Sequence, residues 1–192
     1  MKYILKKLWF LILLLIVSIV VVACGLKSLF CYTFLQQYMI FAIYVIAVGV
    51  LAHFFGEALP RKFRFREAPF APLPFEDGGR FYQKKLKINK WKDHVMDISK
   101  AELGGSLSVE SKAIGGEANE ENIGRAIQES CVAEVTHAVI ILLSVSLFFL
   151  LKMPYSVIFF ILYFIMNLID IIIQRCNRPR LVRLLDRLEK RK

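Results

Sequence analysis

Residues 132–173 read VAEVTHAVIILLSVSLFFLLKMPYSVIFFILYFIMNLIDIII, two apolar runs divided by Lys152-Met153-Pro154. Each run, 132–151 and 155–173, is about as long as the ~20 residues that carry a helix across a hydrocarbon core. Proline cannot continue a helix interior, so the break folds the two runs into an antiparallel hairpin. Two further apolar blocks lie upstream. Residues 8–26 read LWFLILLLIVSIVVVACGL, and residues 37–55 contain Gly49 and His53 within an otherwise apolar stretch. The chain has 192 residues, 57% hydrophobic and 22% charged, so its apolar residues must be segregated into blocks. Its mean hydropathy of +0.53 is well above that of soluble domains. The expected fold class is an all-α integral membrane protein with about four transmembrane helices.

The net charge of +10 does not point to nucleic acid, because the basic residues flank apolar blocks. An anionic bilayer is the more economical partner. Only Lys27 and Lys152, of 26 lysines and arginines, fall in the short loops. Placing both termini and the region 56–131 in the cytoplasm satisfies the positive-inside rule, so a multi-pass cell-membrane protein is expected. The Lys2, Lys6 and Lys7 run before residue 8 resembles a secretory signal, and Val21-Val22-Ala23-Cys24 resembles a lipoprotein cleavage box. The apolar block that follows almost at once favours a first span over a lipidated Cys24. The four cysteines (Cys24, Cys31, Cys131, Cys176) show no metal-ligand spacing.

Between the second and third blocks the chain is polar. Residues 57–76 interleave prolines, phenylalanines and arginines, which excludes a long helix and suits the headgroup layer. Residues 80–91 end in KKLKINKW, whose alternation predicts a strand or an extended interfacial segment. Residues 104–124 are rich in glycine and serine. Asn119 is positioned to cap a helix from Glu120 that runs into the third span. In the basic tail 174–192, Asn177 and Pro179 read as the start of a separate amphipathic C-terminal helix. Its stripe of Leu181, Leu184, Leu185 and Leu188 would lie on an anionic leaflet.

Candidate chemistry sits where polar residues interrupt apolar runs, since burying them unpaired costs a few kcal/mol or more. Glu134 and His137 are three apart on one helix face, as are Asn167 and Asp170. The antiparallel hairpin brings all four to a similar depth, next to Gln174, Arg175, Asn177, Arg178 and Arg180. Mutual neutralisation that merely fixes packing is the bland reading. A metal is not expected, because the Glu-x-x-His of di-iron bundles occurs twice and here only once. Histidine is the side chain that titrates near neutrality, so His137 is the candidate general base, with a carboxylate orienting its ring. His94 with Asp97 forms a weaker second pair. No GxSxG elbow or glycine-rich phosphate loop occurs.

The runs NKWKDHVMD (89–97), AEVTH (133–137) and NLIDIIIQRCNRPRL (167–181) resemble the glycosyl-4,4'-diaponeurosporenoate acyltransferase family. The likeness extends from Gly56 to the C-terminus and includes Pro60 and the Phe75-Glu76 pair. It implies a membrane enzyme that esterifies a sugar hydroxyl of a glycosylated carotenoid with a fatty acyl chain. It further implies acyl-CoA or an acyl carrier protein as donor and a glycolipid acceptor, with no bound cofactor. His137, Glu134 and Asp97 are then the catalytic candidates, with Glu134 orienting His137. Trp91, Lys92, Asn167, Asp170, Gln174, Arg175, Asn177, Arg178 and Arg180 are the substrate-binding candidates. Arg175, Arg178 and Arg180 would hold donor phosphates. Two features depart from the family pattern, the additional N-terminal span and Asp170, which occupies an apolar position. The sequence leaves open an acyltransferase for another lipid or polyol, and a non-enzymatic anchor or regulatory subunit.

Overall fold

A computed structural model describes residues 29–91 and 119–190. The expected first span 8–26, Lys92, His94, Asp97 and most of the stretch 104–124 lie outside the described residues. The described chain is all-α. Helix α1 spans Leu29–Ala58 and α2 spans Arg80–Lys84. Helix α3 spans Glu120–Ser144, α4 spans Leu147–Leu150, and α5 spans Tyr155–Glu189. Two short 3-10 turns, Pro74–Gly79 and Ile88–Lys90, flank α2. Among the described residues, three helical stretches are long and apolar enough to cross a membrane: Tyr32–Ala58, Glu120–Leu150 and Tyr155–Glu189. Large side chains such as Ile43, Phe54, Leu142, Phe149 and Leu162 stand exposed on these helices. In a membrane that exposure meets lipid and carries no penalty.

The hairpin closes as its sequence requires. Helix α5 starts directly after Pro154, and the Lys152 amide donates to the buried Gln37 Oε1 at 2.7 Å. That bond fixes the early part of α1 at the hairpin turn. Further along, Tyr44 donates to the Leu143 carbonyl at 2.7 Å, and Gly56 lies against Val132 and Thr136. Helix α1 therefore runs antiparallel to α3 and parallel to α5. Val48, Ile140, Leu147, Phe159 and Tyr163 form the core near the turn, with Phe41 stacked on Phe159 at 4.5 Å. The polar stretch from residue 59 onward, the start of α3 and the end of α5 share the opposite end.

Three local expectations change. The third span is one apolar stretch in composition but breaks at Val145 and Ser146. Ser144 and Ser146 turn their hydroxyls back onto the carbonyls of Ile141 and Leu143, which loosens the helix end. Residues 80–91 form no strand. They make α2 and a turn because Tyr82 and Ile88 bury against Cys176 of α5 while the lysines face out. The tail is not a separate helix, since α5 passes unbroken through Pro179. An interior proline costs about 3 kcal/mol, and the tertiary packing around it offsets that. Arg178 and Pro179 are buried, and the Leu181–Leu184–Leu185–Leu188 stripe packs on Ile123, Ile127 and Phe65. That stripe belongs to the protein core and not to a lipid surface. Asn119 does cap α3, its Oδ1 accepting from the Asn122 amide at 2.8 Å.

Segment 59–91 is bound down at the end of the bundle opposite the turn. Arg61 Nη1 donates to the carbonyls of Gly56, Glu57 and Leu59, closing the end of α1. Its Nε reaches Glu129 at 3.2 Å. Phe63 and the Gln128 amide exchange two hydrogen bonds, 2.7 and 3.0 Å long. Gly79 then lets the chain touch α5. Its φ is 91°, and a Cβ there would stand 3.0 Å from the Cys176 carbonyl oxygen, so both conformation and space demand glycine.

Candidate functional site

The polar residues expected inside the spans gather into two adjoining groups. In the first, Arg175 of α5 forks onto Glu76, with Nε to Oε1 at 2.6 Å and Nη2 to Oε2 at 3.0 Å. Its Nη1 reaches Glu134 Oε1 at 2.6 Å, and its remaining donors meet the carbonyls of Pro69 and Ala71. All five guanidinium N–H groups are thereby engaged. Arg178 pairs with Glu134 Oε2 at 2.5 Å and donates to the Ser130 hydroxyl, the Ser130 carbonyl and the Phe70 carbonyl. Side-chain exposures are 2% for Arg178 and Glu76, 11% for Arg175 and 13% for Glu134, so this is a neutral buried quartet.

The quartet changes two expectations. Glu134 does not hold the His137 ring, because its carboxylate is shared between two arginines. Arg175 and Arg178 are not free forks for phosphate, because their donors already tie segment 59–79 and α3 to α5. Arg180, one residue beyond the buried Pro179, is exposed on the other side of α5. Gln174 and Asn177 are half-buried on the same helix. Trp91 packs beside Tyr82 and Ile88 and donates from Nε1 to the Leu86 carbonyl at 2.8 Å.

Sequence reasoning gave Glu76 no site role, although the Phe75-Glu76 pair lies within the resembling stretch. Burial opposes its ionisation. Hydrogen bonds from Arg175, Tyr82 and the Leu73 amide outweigh burial and hold its carboxyl below the usual range. Burial and the Glu76 carboxylate together push the Tyr82 hydroxyl up to about 12. A depressed carboxyl pKa stabilises the fold above the ordinary glutamate value of about 4.3, and that contribution is lost as pH falls through the folded value. Trp91 sits in the cluster this pair supports. In a Trp9→Phe background its emission should shift to the red, reversibly, below about pH 4. Glu76→Gln should remove that acid step, and an unchanged step in the variant assigns it to another group.

The second group surrounds His137. Its Nδ1 lies 2.9 Å from Asn167 Oδ1, and Asn167 Nδ2 donates to the Tyr163 carbonyl at 2.8 Å. A carbonyl only accepts, so the Tyr163 bond fixes which end of the Asn167 amide carries its hydrogens. Oδ1 must then accept, and Nδ1 of the imidazole carries the proton. The ring is left with a basic Nε2. Asp170 Oδ2 stands 3.8 Å from Nδ1, on the same side of the ring as the Asn167 contact. His137 and Asp170 are 26% and 32% exposed, in contrast to the closed quartet beside them.

A family model for glycosyl-4,4'-diaponeurosporenoate acyltransferase matches residues 62–187. The chain belongs to the glycosyl-4,4'-diaponeurosporenoate acyltransferase family. That span contains both polar groups and the partner residues that reasoning from sequence passed over, Glu76, Tyr82 and Ser130. A glycosyl-4,4'-diaponeurosporenoate acyltransferase of Staphylococcus aureus (strain bovine RF122 / ET3-1) is 31% identical over 139 residues, covering 71% of this chain and 80% of the relative. The protein of the same description from strain MRSA252 is 32% identical over the same shares. No solved structure matches the chain. Membership sets aside the reading as a non-enzymatic anchor: the family is one of acyltransferases.

Proposed function

We propose that this family member transfers a fatty acyl chain to a sugar hydroxyl of a glycosylated carotenoid or related glycolipid, with His137 as general base. The observation that carries the reading is the Tyr163–Asn167–His137 relay, which fixes the ring tautomer. The sugar hydroxyl gives its proton to Nε2 as its oxygen attacks the acyl carbonyl. The carbon–sulfur bond of the thioester breaks, and the leaving thiolate takes the proton back from the ring. Asp170 steadies the imidazolium in between. A thioester is already activated, so the reaction calls for no nucleotide hydrolysis. Acyl-CoA or an acyl carrier protein is the donor class.

The exposed apolar flanks of the spans suit a lipid acceptor. By the resemblance noted above, Asp170 departs from the family pattern, which supports a related glycolipid beside a carotenoid glycoside as acceptor. The clustering of basic residues outside the short loops supports a cell-membrane protein with both termini and the site's end cytoplasmic. Gln174, Asn177 and Arg180 are proposed to line the donor's approach from that side. Lys92 and Asp97 keep their proposed binding and catalytic roles.

Asn167→Leu removes the acceptor that fixes the tautomer without touching Nε2. It should lower kcat roughly 10²-fold, the scale of a modest misplacement of a catalytic group. The donor KM should stay near the wild-type value. Steady-state assay in lipid nanodiscs reads both constants, and a wild-type kcat would remove the tautomer argument.

A further inference from the structure

Next to the quartet, away from the hairpin turn, segment 65–78 and α5 line a half-open cavity of about 350 Å³, with Arg178 on one wall. Phe65, Phe70, Pro179 and Val182 give it apolar walls, and Arg66 and Arg183 stand at its edge. The volume falls in the range of small-ligand sites, which are mostly apolar with a few placed polar groups. We propose that this cavity receives the nucleotide end of an acyl-coenzyme A donor, with the base against its apolar wall and the phosphates on Arg66 and Arg183. The inference rests on the thioester donor of the proposed reaction and supplies the site that Arg175 and Arg178 cannot.

The two rim arginines are available in a way the quartet arginines are not. Arg183 is exposed, and among the described residues its guanidinium donates from Nη1 to the Gly78 carbonyl at 3.2 Å and enters no ion pair. Arg66 lies 2.8 Å from Asp186 and 3.5 Å from Glu189, but all three side chains are substantially exposed. Exposed pairs of this kind are worth about 0–1 kcal/mol, little enough for a phosphate to displace the carboxylates. Guanidinium forks match phosphate geometry.

Position favours a nucleotide over an acyl chain. A helix crosses about 30 Å of hydrocarbon in roughly 20 residues, so α5 leaves the apolar layer near Gln174. The cavity, at residues 178–183, lies beyond that point, where a water-soluble head group arrives and a free acyl chain has no reason to lodge. Val182 is twelve residues past Asp170, about 18 Å along the helix. Coenzyme A carries its sulfur on an extended pantetheine arm suited to such a gap. The nucleotide can therefore rest at the cavity while the thioester reaches His137.

The test is calorimetric titration of the full-length protein in nanodiscs with coenzyme A. Saturable binding is expected, competed by adenosine 3',5'-bisphosphate but not by pantetheine or palmitate. Arg183→Glu, an exposed position that spares the core, should weaken coenzyme A at least tenfold. Val182→Trp, which fills the cavity, should do the same. His137→Ala should bind coenzyme A like the wild type, so its turnover is scored separately from this site. Absence of coenzyme A binding by an active protein overturns the proposal, as does wild-type affinity in Arg183→Glu or competition by palmitate alone.

Discussion

His137→Ala should abolish the acylated glycolipid in lipid extracts of cells producing the protein, while the amount inserted in the membrane is unchanged. Removing a positioned general base costs about 10²–10⁴-fold in rate, which takes product below detection in a mass-spectrometric comparison. The fold should tolerate the change. His137 is 26% exposed and contributes no charge to the buried quartet. Its loss frees Asn167 Oδ1 but leaves the Asn167 bond to the Tyr163 carbonyl in place. Undiminished product from His137→Ala would place the chemistry elsewhere.

Glu134→Ala should have the opposite profile. Arg178 is 2% exposed and meets this carboxylate at 2.5 Å, and Arg175 loses a 2.6 Å partner. Leaving a buried charge without its counter-ion costs about 3–5 kcal/mol. In a chain of this size that corresponds to a fall in Tm of roughly 6–20 °C. Turnover per folded molecule, assayed well below the new Tm, should be largely kept, because the carboxylate holds the fold and not the ring. A well-folded Glu134→Ala with lost turnover would return Glu134 to the orienting role expected from sequence. Scanning unfolding in detergent beside the activity assay separates the two outcomes.

That contrast shows where the sequence is legible and where it is not. The Lys152-Met153-Pro154 break and the apolar runs on either side define the hairpin. The hairpin alone brings Glu134, His137, Asn167 and Asp170 to one depth. The Asn119 cap is legible because capping is local chemistry. Which polar residue pairs with which is not local. Glu76 meets Arg175 across 99 positions, and no periodicity announces it. The arginine run 175–180 looks uniform in sequence, yet Arg178 is buried and Arg180 exposed because they face different sides of α5. Pro179 misleads for a related reason. Its propensity argues for a helix start, and the packing of the following leucine stripe against Ile123 and Ile127 outweighs it.

On the proposed mechanism this chain itself moves an acyl group onto a sugar hydroxyl through His137. The most direct measurement uses the purified full-length protein in nanodiscs, supplied with a glycosylated carotenoid and an acyl-coenzyme A and followed by mass spectrometry. The predicted result is an acceptor heavier by one fatty acyl group, ester-linked to the sugar, formed by the wild type and not by His137→Ala. Acceptor recovered unmodified from the wild type under these conditions, or acylated equally by His137→Ala, would contradict it.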